Sequence, residues 1–442
     1  MSALSPICGW GRTSTVMADE RLSENLERIT REATLTRGLG RSYGDASLPH
    51  ASGARIANSV LANRLISFNL ETGALRAEAG LSLQSLKEIF LPRGWFTPVT
   101  PGTQFVTLGG MVASDVHGKN QHVEGDFGHH VRWIRLRLGS GEIVECSETV
   151  EPELFFATIG GMGLTGHILE VEIQMQRVES PWIWQRRERI HDVAITLRRL
   201  REAGEQWPFT VAWLDLLADG RDFGRGALMC GRWATRAEAT KPLSLQVKRR
   251  AVPVDVPGIV LNRRAMRLFN AVQFKWSQRD SEGLEHPETF FYPLDKLLDW
   301  NRMYGKWGFI QHQAVIPCDD SIEPALQYFD LIRTLEVPVY LCVLKDCAHE
   351  GRGTISFPLQ GYTFALDLPF RPDATQRAVD RLNEFVIENG GRIYLTKDGH
   401  TRAEHLRAMD PRLDGFNELR RRWDPEGRIR SALSVRLLGD TP

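Results

Sequence analysis

The sequence feature that most constrains this chain is a glycine-rich stretch from Thr97 to Asn120. It combines glycines, small hydroxyl residues, one histidine and one lysine, and it is too irregular for a long helix and too rich in glycine for an ordinary strand. Glycine has no Cβ, so its backbone can lie directly against a ligand and donate N–H groups to it. On its glycines alone, the stretch is equally consistent with a ligand-binding segment and with a plain surface loop.

Composition excludes several classes of protein. The chain has 442 residues, 42% of them hydrophobic, and a formal net charge of zero, which is typical of a soluble globular protein with two or three domains. This balance gives no electrostatic basis for a nucleic-acid partner. We expect no signal peptide, because the N-terminus lacks a charged region followed by an apolar one, and no membrane span, because no window reaches about 18 consecutive apolar residues.

The cysteines argue against metal and disulfide chemistry. The sequence has six, and they are scattered without a Cys-x-x-Cys pair or a histidine pair at ligand spacing. We therefore expect no metal site and a reducing, cytoplasmic compartment.

A second glycine-rich loop covers residues 34–47 and contains Gly38, Gly40 and Gly44, with Arg41 among them. Arginine side chains and free backbone amides suit a pyrophosphate group. The spacing is not Gly-x-Gly-x-x-Gly and no helical pattern follows, so a Rossmann nucleotide site is disfavoured. A wide turn remains the alternative.

A third loop contains a formal Gly-x-Gly-x-x-Gly at Gly161, Gly163 and Gly166. The Rossmann fingerprint requires a strand before the glycines and a helix after them. Here the order is reversed, because residues 152–159 have a helical pattern and residues 169–176 alternate apolar and polar side chains. We interpret this loop as a support for the other two.

The pattern changes after residue 176, where glycine-rich loops give way to alternating strands and helices. Strands are predicted at 209–217, 308–317, 337–345 and 361–368, and helices at 322–335 and 374–389. The resulting prediction is an α+β protein with a first domain at 1–176, a substrate-binding sheet domain at 177–391, and a C-terminal segment at 392–442 that packs back on the first domain.

Residues 241–288 are rich in lysine and arginine and contain an apolar face at helical spacing. The apolar face comprises Leu261, Ala265, Leu268, Phe269, Val272 and Trp276. A basic amphipathic helix can lie on an anionic membrane or bind a lipid phosphate. A solvated helix that covers the sheet is the alternative.

Taken together, the three loops resemble the flavin domain of the vanillyl-alcohol oxidase superfamily, and in particular its flavoenzymes that oxidise polyprenylphosphoryl ribose in arabinose biosynthesis. The motifs that carry the resemblance are Arg37-Gly-Leu-Gly-Arg-Ser-Tyr-Gly44, Pro101-Gly-Thr103, Thr107-Leu-Gly-Gly110, Asp115-Val-His-Gly-Lys-Asn120 and Gly160-Gly-Met-Gly-Leu-Thr-Gly166. Further similarity extends over nearly the whole chain, at residues 9–13, 300–305, 309–313, 356–358 and 394–398.

The resemblance implies a two-domain FAD-binding fold with a helix-covered antiparallel substrate sheet. It implies FAD contacts from Gly38, Gly40, Arg41, Ser42, Tyr43, Gly44, Gly102, Thr103, Thr107, Gly110, Asp115, Gly118, Asn120, Gly163, Leu164, Ile168 and Tyr394. Oxidases of this superfamily that bind flavin covalently carry a histidine where this chain has Arg41. We therefore expect non-covalent FAD.

The same resemblance implies the reacting groups. Lys397 is expected to hold the reacting hydroxyl and to place positive charge near the flavin, and His117 to lie at the sugar pocket, although a structural histidine remains an alternative. Lys345 and Gln313 are expected to face the sugar and phosphate. The remaining substrate residues are Trp213, Thr363, Ala365 and Phe291.

Some pocket positions depart from the family pattern. Ala365 replaces a cysteine, Thr363 replaces an asparagine, Met162 replaces an asparagine in the third loop, and Phe291-Tyr292 replaces a Tyr-His pair. These departures bear mainly on which sugar is bound.

The predicted function is FAD-dependent oxidation of a secondary hydroxyl, at C2 of a polyprenylphosphoryl pentose, to a keto sugar that a partner short-chain reductase would reduce. The location expected for it is the cytoplasm, with peripheral contact at the inner membrane face through residues 241–288. The alternatives are an alditol or lactone oxidase acting on a soluble polyol, and a flavin-free binding protein in which the glycine loops are only turns.

Overall fold

A computed structural model describes residues 4–244, 247–258, 261–276 and 279–441 of the chain. The side chain of Trp276, predicted on the apolar face of the basic helix, lies outside this described part. The predicted α+β class is confirmed, because helices and largely antiparallel sheets occur together throughout the described residues.

The N-terminal sheet fixes the start of the first glycine loop. Its elements are β1 (Ser5–Cys8), β2 (Thr15–Leu22), α1 (Leu26–Ile29), β3 (Leu35–Arg37) and β4 (Arg55–Asn58). The strand order is β1-β2-β4-β3, and β4 pairs in parallel with both β2 and β3. Because β3 ends at Arg37, the sheet delivers the chain directly into the loop at Gly38.

A five-stranded antiparallel sheet carries the second and third loops. The strands of this part are β5 (Leu65–Phe68), β6 (Ala74–Glu78), β7 (Trp95–Phe96), β8 (Val131–Arg137), β9 (Ile143–Ser147), β10 (His167–Gln174) and β11 (Gln176–Arg177). The helices are α2 (Leu83–Phe90), α3 (Leu108–Ala113), α4 (Gln121–Glu124) and α5 (Pro152–Thr158). The sheet order is β5-β6-β10-β8-β9, and β7 pairs separately with β11.

An eight-stranded antiparallel sheet forms the second part, in the order β16-β12-β14-β13-β19-β20-β18-β21. The strands are β12 (Ile183–Ile190), β13 (Phe209–Asp215), β14 (Arg225–Trp233), β15 (Arg250–Ala251), β16 (Ser281–Glu285), β17 (Leu297–Leu298), β18 (Phe309–Ile316), β19 (Leu341–Cys347), β20 (Gly361–Pro369) and β21 (Arg392–Ile393). Strands β15 and β17 pair with each other outside this sheet.

The strand predictions at 209–217, 308–317 and 361–368 are confirmed. The strand predicted from residue 337 begins only at Leu341. Pro338 has no N–H group to donate to a strand ladder, which accounts for the later start. Strands β12 and β14 were not predicted, and β12 contributes side chains to the site.

Three of the five helices in the described residues of the second part cover one face of this sheet, and the cavity lies on the other face. The helices of the second part are α6 (Val193–Gly204), α7 (Arg263–Trp276), α8 (Pro287–Phe291), α9 (Glu323–Arg333) and α10 (Pro372–Glu388). Buried residues of α6, α9 and α10 share one hydrophobic core with Leu344 of β19 and Phe364 of β20. The predicted helices at 322–335 and 374–389 are confirmed as α9 and α10.

The C-terminal segment packs against the first glycine loop and the sheet beside it. Its helices are α11 (Ala403–Met409), α12 (Leu413–Trp423) and α13 (Ala432–Leu438). Arg436 of α13 forms ion pairs with Asp45 and with Asp398, and Ala432 donates its N–H to the Leu48 carbonyl (3.0 Å). These contacts bring residues 394–398 to the cavity.

Candidate active site

The first glycine loop is compressed against the C-terminal segment. Tyr43 donates its N–H to the Thr396 carbonyl (2.9 Å), which joins the two segments. A Cβ atom on Gly44 would lie only 1.9 Å from the backbone oxygen of Asp398. Glycine at this position therefore allows two backbones to approach more closely than any other residue would.

The second loop, residues 97–120, folds around the short helix α3. Thr107 caps this helix, and Gly109 donates its N–H to the Ala79 carbonyl (2.8 Å) at the end of β6. A Cβ atom on Gly38 would lie 2.4 Å from Thr107 Oγ1, so the first and second loops are in direct contact. The two loops therefore form one continuous backbone surface.

The third loop supports the second. Helix α5 precedes it and strand β10 follows it, so the predicted reversal of the Rossmann order is confirmed. Met162 has a positive φ of 54° and donates its N–H to the Ala113 carbonyl (2.8 Å) at the end of α3. A Cβ atom on Gly161 would lie 2.1 Å from the Ala157 carbonyl oxygen, which again requires glycine.

A cavity of ≈ 520 Å³ runs between these loops and the face of the eight-stranded sheet that α6, α9 and α10 leave uncovered. On the loop side it is lined by the predicted residues Gly38, Gly40, Arg41, Ser42, Tyr43, Gly102, Thr103, Thr107, Gly110, Gly118, Gly163, Ile168 and Tyr394. On the sheet side it is lined by the predicted residues His117, Trp213, Phe291, Gln313, Lys345, Thr363, Ala365 and Lys397. The fold thus brings together residues that are far apart in sequence.

The predicted cofactor residues that do not line the cavity are Gly44, Asp115, Asn120 and Leu164. Asp115 is buried and accepts a hydrogen bond from the Gly128 N–H (2.7 Å). Asn120 donates its side-chain amide to the Pro98 carbonyl (2.8 Å). In this structure these side chains hold the glycine loops in place from behind.

Strand pairing aligns the sheet side of the cavity. Trp213 lies opposite Val343, Val343 opposite Ala365, and Ala365 opposite Gln313, so these four side chains form one row across four strands. The next row contains Lys345 opposite Thr363. Side chains alternate between the two faces of a strand, so every second residue of each strand reaches the cavity.

Lys397 lies where the C-terminal segment crosses the first loop. Its Nζ is 3.8 Å from the centroid of the Tyr43 ring, a cation–π contact. The pKa of Lys397 is lowered to about 7 by burial, which outweighs the raising effect of the Asp367 carboxylate and acts in the same direction as the charge of Lys345. A lysine with a pKa near 7 can exchange a proton at neutral pH.

Asp367 lies on β20 behind this lysine. It accepts hydrogen bonds from Gln311 Nε2 (2.5 Å) and from the Tyr304 hydroxyl (2.9 Å). Burial raises the pKa of Asp367 to about 6, while these hydrogen bonds and Lys397 lower it. Asp367 is therefore charged above pH 6 and acts on Lys397 through its charge.

His117 is buried between the rings of Phe357 and Tyr394, with centroid distances of 5.7 Å and 5.5 Å. Gln313 Nε2 donates to its Nε2 atom (2.8 Å), so the neutral ring carries its proton on Nδ1. Burial, followed by the charges of Lys345 and Lys397, holds the pKa of His117 well below its usual value. Among the described residues its Nδ1 has no partner, so this group is available to a ligand.

The loop side of the cavity fits a dinucleotide cofactor. Arg41 stacks on Trp10 with its guanidinium carbon 3.8 Å from a ring centroid, and its Nε has no hydrogen-bond partner in the described part of the chain. The backbone N–H groups of residues 39–42 likewise donate to no other described residue. Unsatisfied donors beside an arginine are the groups that would hold a pyrophosphate.

Sequence reasoning missed several polar residues around the cavity. Lys119, Gln185, Arg187 and Gln311 line it, and Asp367 lies behind it. Gln185 and Arg187 stand two residues apart in β12, so the period-two pattern of residues 183–190 could have indicated them. Gln311 likewise lies two residues before Gln313 in β18.

Comparisons with known proteins agree with this geometry. An FAD binding domain family matches residues 25–147, which contain the first and second loops. Decaprenylphosphoryl-β-D-ribose oxidase of Mycolicibacterium smegmatis is 32% identical over 98% of this chain and 97% of its own length. A protein of Streptomyces coelicolor encoded in the mprA 5′ region is 32% identical over 81% of this chain and 100% of its own length.

Other oxidases share only part of the chain. A putative D-arabinono-1,4-lactone oxidase of Neurospora crassa is 28% identical over 33% of this chain and 26% of its own length. The likeness to the mycobacterial oxidase therefore includes the sheet side of the cavity, whereas the likeness to the lactone oxidase covers a third of the chain. The chain belongs to the family of decaprenylphosphoryl-β-D-ribose oxidase, and it is an FAD-dependent oxidoreductase.

Proposed function

We propose that this chain oxidises C2 of a polyprenylphosphoryl pentose, such as decaprenylphosphoryl ribose, to a keto sugar, as the first half of an epimerisation. The observation that carries the proposal is Lys397, whose pKa is about 7, on the wall of a cavity whose other side is made of the glycine loops. The full-length likeness to decaprenylphosphoryl-β-D-ribose oxidase supports the same class of substrate.

The proposed reaction removes one hydride and one proton from the alcohol, and each has its own acceptor. FAD, when bound, supplies the acceptor for the hydride that leaves the alcohol carbon. The hydroxyl proton passes to the neutral amine of Lys397, and a C=O bond forms. The resulting ammonium group then provides positive charge next to the cofactor, which favours the charge-separated product state.

The other cavity residues position the sugar in this proposal. The Nδ1–H of His117 donates to a sugar oxygen, and Gln313 fixes the ring from its far side. Lys345 contributes a further donor, and Trp213 forms an apolar wall. The remaining substrate contacts are proposed for Thr363, Ala365 and Phe291, and the non-covalent FAD contacts are those predicted from the sequence.

An exposed apolar surface supports a lipid-linked substrate. We call residues 247–258, 261–276 and 279–307 the cap segment; it carries large hydrophobic side chains that are between 49% and 67% exposed, at Val254, Leu268, Phe269, Val272 and Trp307. Lysines and arginines lie among them on and around α7. Gln273 of α7 and Leu297 also line the cavity, so this surface is continuous with the site.

We propose that the cap segment contacts the inner face of the cytoplasmic membrane and that a lipid tail leaves the cavity beneath it. Apolar side chains surrounded by cations are typical of surfaces that bind anionic bilayers. No helix in the described ranges combines the length and the apolar character needed to cross a membrane.

The keto sugar requires a second enzyme to complete an epimerisation. We propose a short-chain reductase as that partner, because reduction of the ketone from the opposite face would invert C2. The alternative function, oxidation of a soluble alditol or lactone, is consistent with the partial likeness to a putative D-arabinono-1,4-lactone oxidase. That alternative assigns no role to the exposed apolar surface.

A substrate panel separates these functions. Purified holoenzyme with a dye as electron acceptor is given polyprenylphosphoryl ribose, polyprenylphosphoryl arabinose, free ribose, an alditol and an aldonolactone. We expect oxidation of a lipid-linked pentose, with the new ketone at C2 by NMR. A higher kcat/KM for the alditol or lactone would transfer the assignment to the alternative function.

A further inference from the structure

Lys119 brings an ammonium group to the sheet side of the cavity, next to Lys345. It follows His117 by two residues, and its backbone carbonyl accepts a hydrogen bond from the Thr210 N–H (2.8 Å). This bond fixes Lys119 over β13, and Lys345 lies on the adjacent strand β19. Both lysines line the cavity.

The ammonium group of Lys119 is only partly satisfied by the protein. Its Nζ donates to the Phe290 carbonyl and lies 4.4 Å from the centroid of the Phe290 ring. An ammonium group has three N–H donors, and Phe290 is its only hydrogen-bond acceptor in the described part of the chain. Two donors therefore remain for a ligand.

The surrounding charges are mainly positive. Burial, together with the charges of Lys345 and Arg187, lowers the pKa of Lys119 to about 7. Burial lowers the pKa of Lys345 to about 8, even though Cys347 and the acidic side chain of Asp126 act to raise it. Within the described residues, neither lysine forms an ion pair with a carboxylate.

A third lysine provides an internal comparison. Lys87 is 1% exposed, and the fold gives it a carboxylate partner, Glu288, together with the side-chain oxygen of Gln104 (2.5 Å). A buried cation without such a partner is unfavourable. Where a lysine has a structural role this protein supplies the anion, whereas at Lys119 and Lys345 the anion must come from the ligand.

We propose that Lys119, together with Lys345, binds the phosphate group of the substrate and thereby selects a phosphorylated sugar over a free one. This inference rests on the proposed function for the identity of that substrate. It assigns a role to Lys119, which lies outside the set of residues placed around the sugar. A phosphate oxygen would accept the two remaining N–H donors of Lys119 and offset the paired positive charge.

The test measures binding of farnesyl phosphate to the holoenzyme by calorimetry, and compares it with farnesol and with competition by inorganic phosphate. We expect Lys119→Gln and Lys345→Gln each to lower the affinity for farnesyl phosphate about 30-fold or more. This is the ratio expected when one partner of a buried charge pair is removed. Lys119→Arg should restore part of the affinity. Bound FAD, measured from the flavin spectrum, should be unchanged.

Arg421→Gln is the matched control, because it removes one exposed cation that does not line the cavity. Equal affinity of Lys119→Gln, Arg421→Gln and the unmodified protein for farnesyl phosphate would overturn the inference. So would tight binding of farnesol, or the absence of competition by inorganic phosphate, because the lipid tail would then carry the binding. Since no turnover is needed, the phosphate site can stand even if the proposed oxidation fails.

Discussion

The two sides of the cavity are built in different ways. The loop side is rich in glycine, and Gly38 and Gly44 are required there because their Cβ atoms would overlap other parts of the chain. The sheet side is made of side chains, several of which stand on separate strands and meet through strand pairing, while His117 and Lys397 join them from the second loop and the C-terminal segment. The first side suits the extended backbone contacts of a dinucleotide cofactor, and the second suits polar contacts to a substrate.

This difference implies that the two functions can be separated by mutation. A change in a sheet side chain should alter chemistry or substrate binding and leave FAD in place. A change in a loop glycine should disturb the backbone surface and release FAD. The following variants test that separation.

Lys397→Ala should have the largest effect. It removes the proposed proton acceptor and the positive charge beside the cofactor, and we expect kcat to fall on the order of 10²-fold to 10³-fold. The flavin spectrum of the purified variant should match that of the unmodified protein. Loss of FAD in Lys397→Ala, or a normal kcat in this variant, would contradict the proposal that the two sides have separate functions. Arg421→Ala serves as the control.

Gly44→Ala should have the complementary effect. Its new Cβ atom would meet the backbone oxygen of Asp398, which cannot move aside as a flexible side chain can. We expect a loss of about 1–3 kcal/mol in the free energy of unfolding and a lower FAD content. Gly415→Ala is the matched control, because nothing lies within 4 Å of its Cβ position. If Gly44→Ala keeps its full FAD content, FAD binding does not depend on the backbone arrangement of the loop side.

Asp367→Asn tests whether a charge on the sheet side sets the pKa of Lys397. The Asp367 carboxylate raises the pKa of Lys397, so its removal should lower that pKa and leave more neutral amine at a given pH. The acidic limb of the kcat/KM profile should therefore move to lower pH, with a severalfold gain at pH 6. If the acidic limb of the kcat/KM profile stays in place or moves to higher pH, Lys397 is not the group that accepts the proton. Asp414→Asn controls for the loss of an exposed carboxylate.

The combined substitution Leu268→Ser, Phe269→Ser and Val272→Ser should have the smallest effect on the isolated protein. These side chains are at least 49% exposed, so stability should change by less than about 0.5 kcal/mol per position. Cosedimentation with anionic vesicles should fall, while oxidation of a short-chain substrate should not change. Undiminished vesicle binding would remove the cap segment from the membrane proposal.

The sequence predicted the loop side more completely than the sheet side. Glycine motifs are contiguous, and their steric requirement is local, so the reversed order around Gly161 could be recognised without the structure. The charge of Asp367 near Lys397 could not be predicted, because Asp367 is positioned by its hydrogen bond from Gln311, which forms only when β18 pairs with β20. The sequence also contained no signal that separates Asp115, which supports the loop from behind, from residues that line the cavity.

The central claim is that these two sides together form a flavin-dependent alcohol oxidation site. Its most direct test is the visible flavin band of purified protein, recorded without oxygen or dye before and after addition of a polyprenylphosphoryl pentose. We expect the band to be present at the start and to be bleached by the lipid-linked pentose in the unmodified protein. We expect it to persist in Lys397→Ala. A protein purified without the band that gains no stability from added FAD, or a band that no hydroxyl substrate bleaches, would show that the cavity is not a flavin-dependent oxidation site.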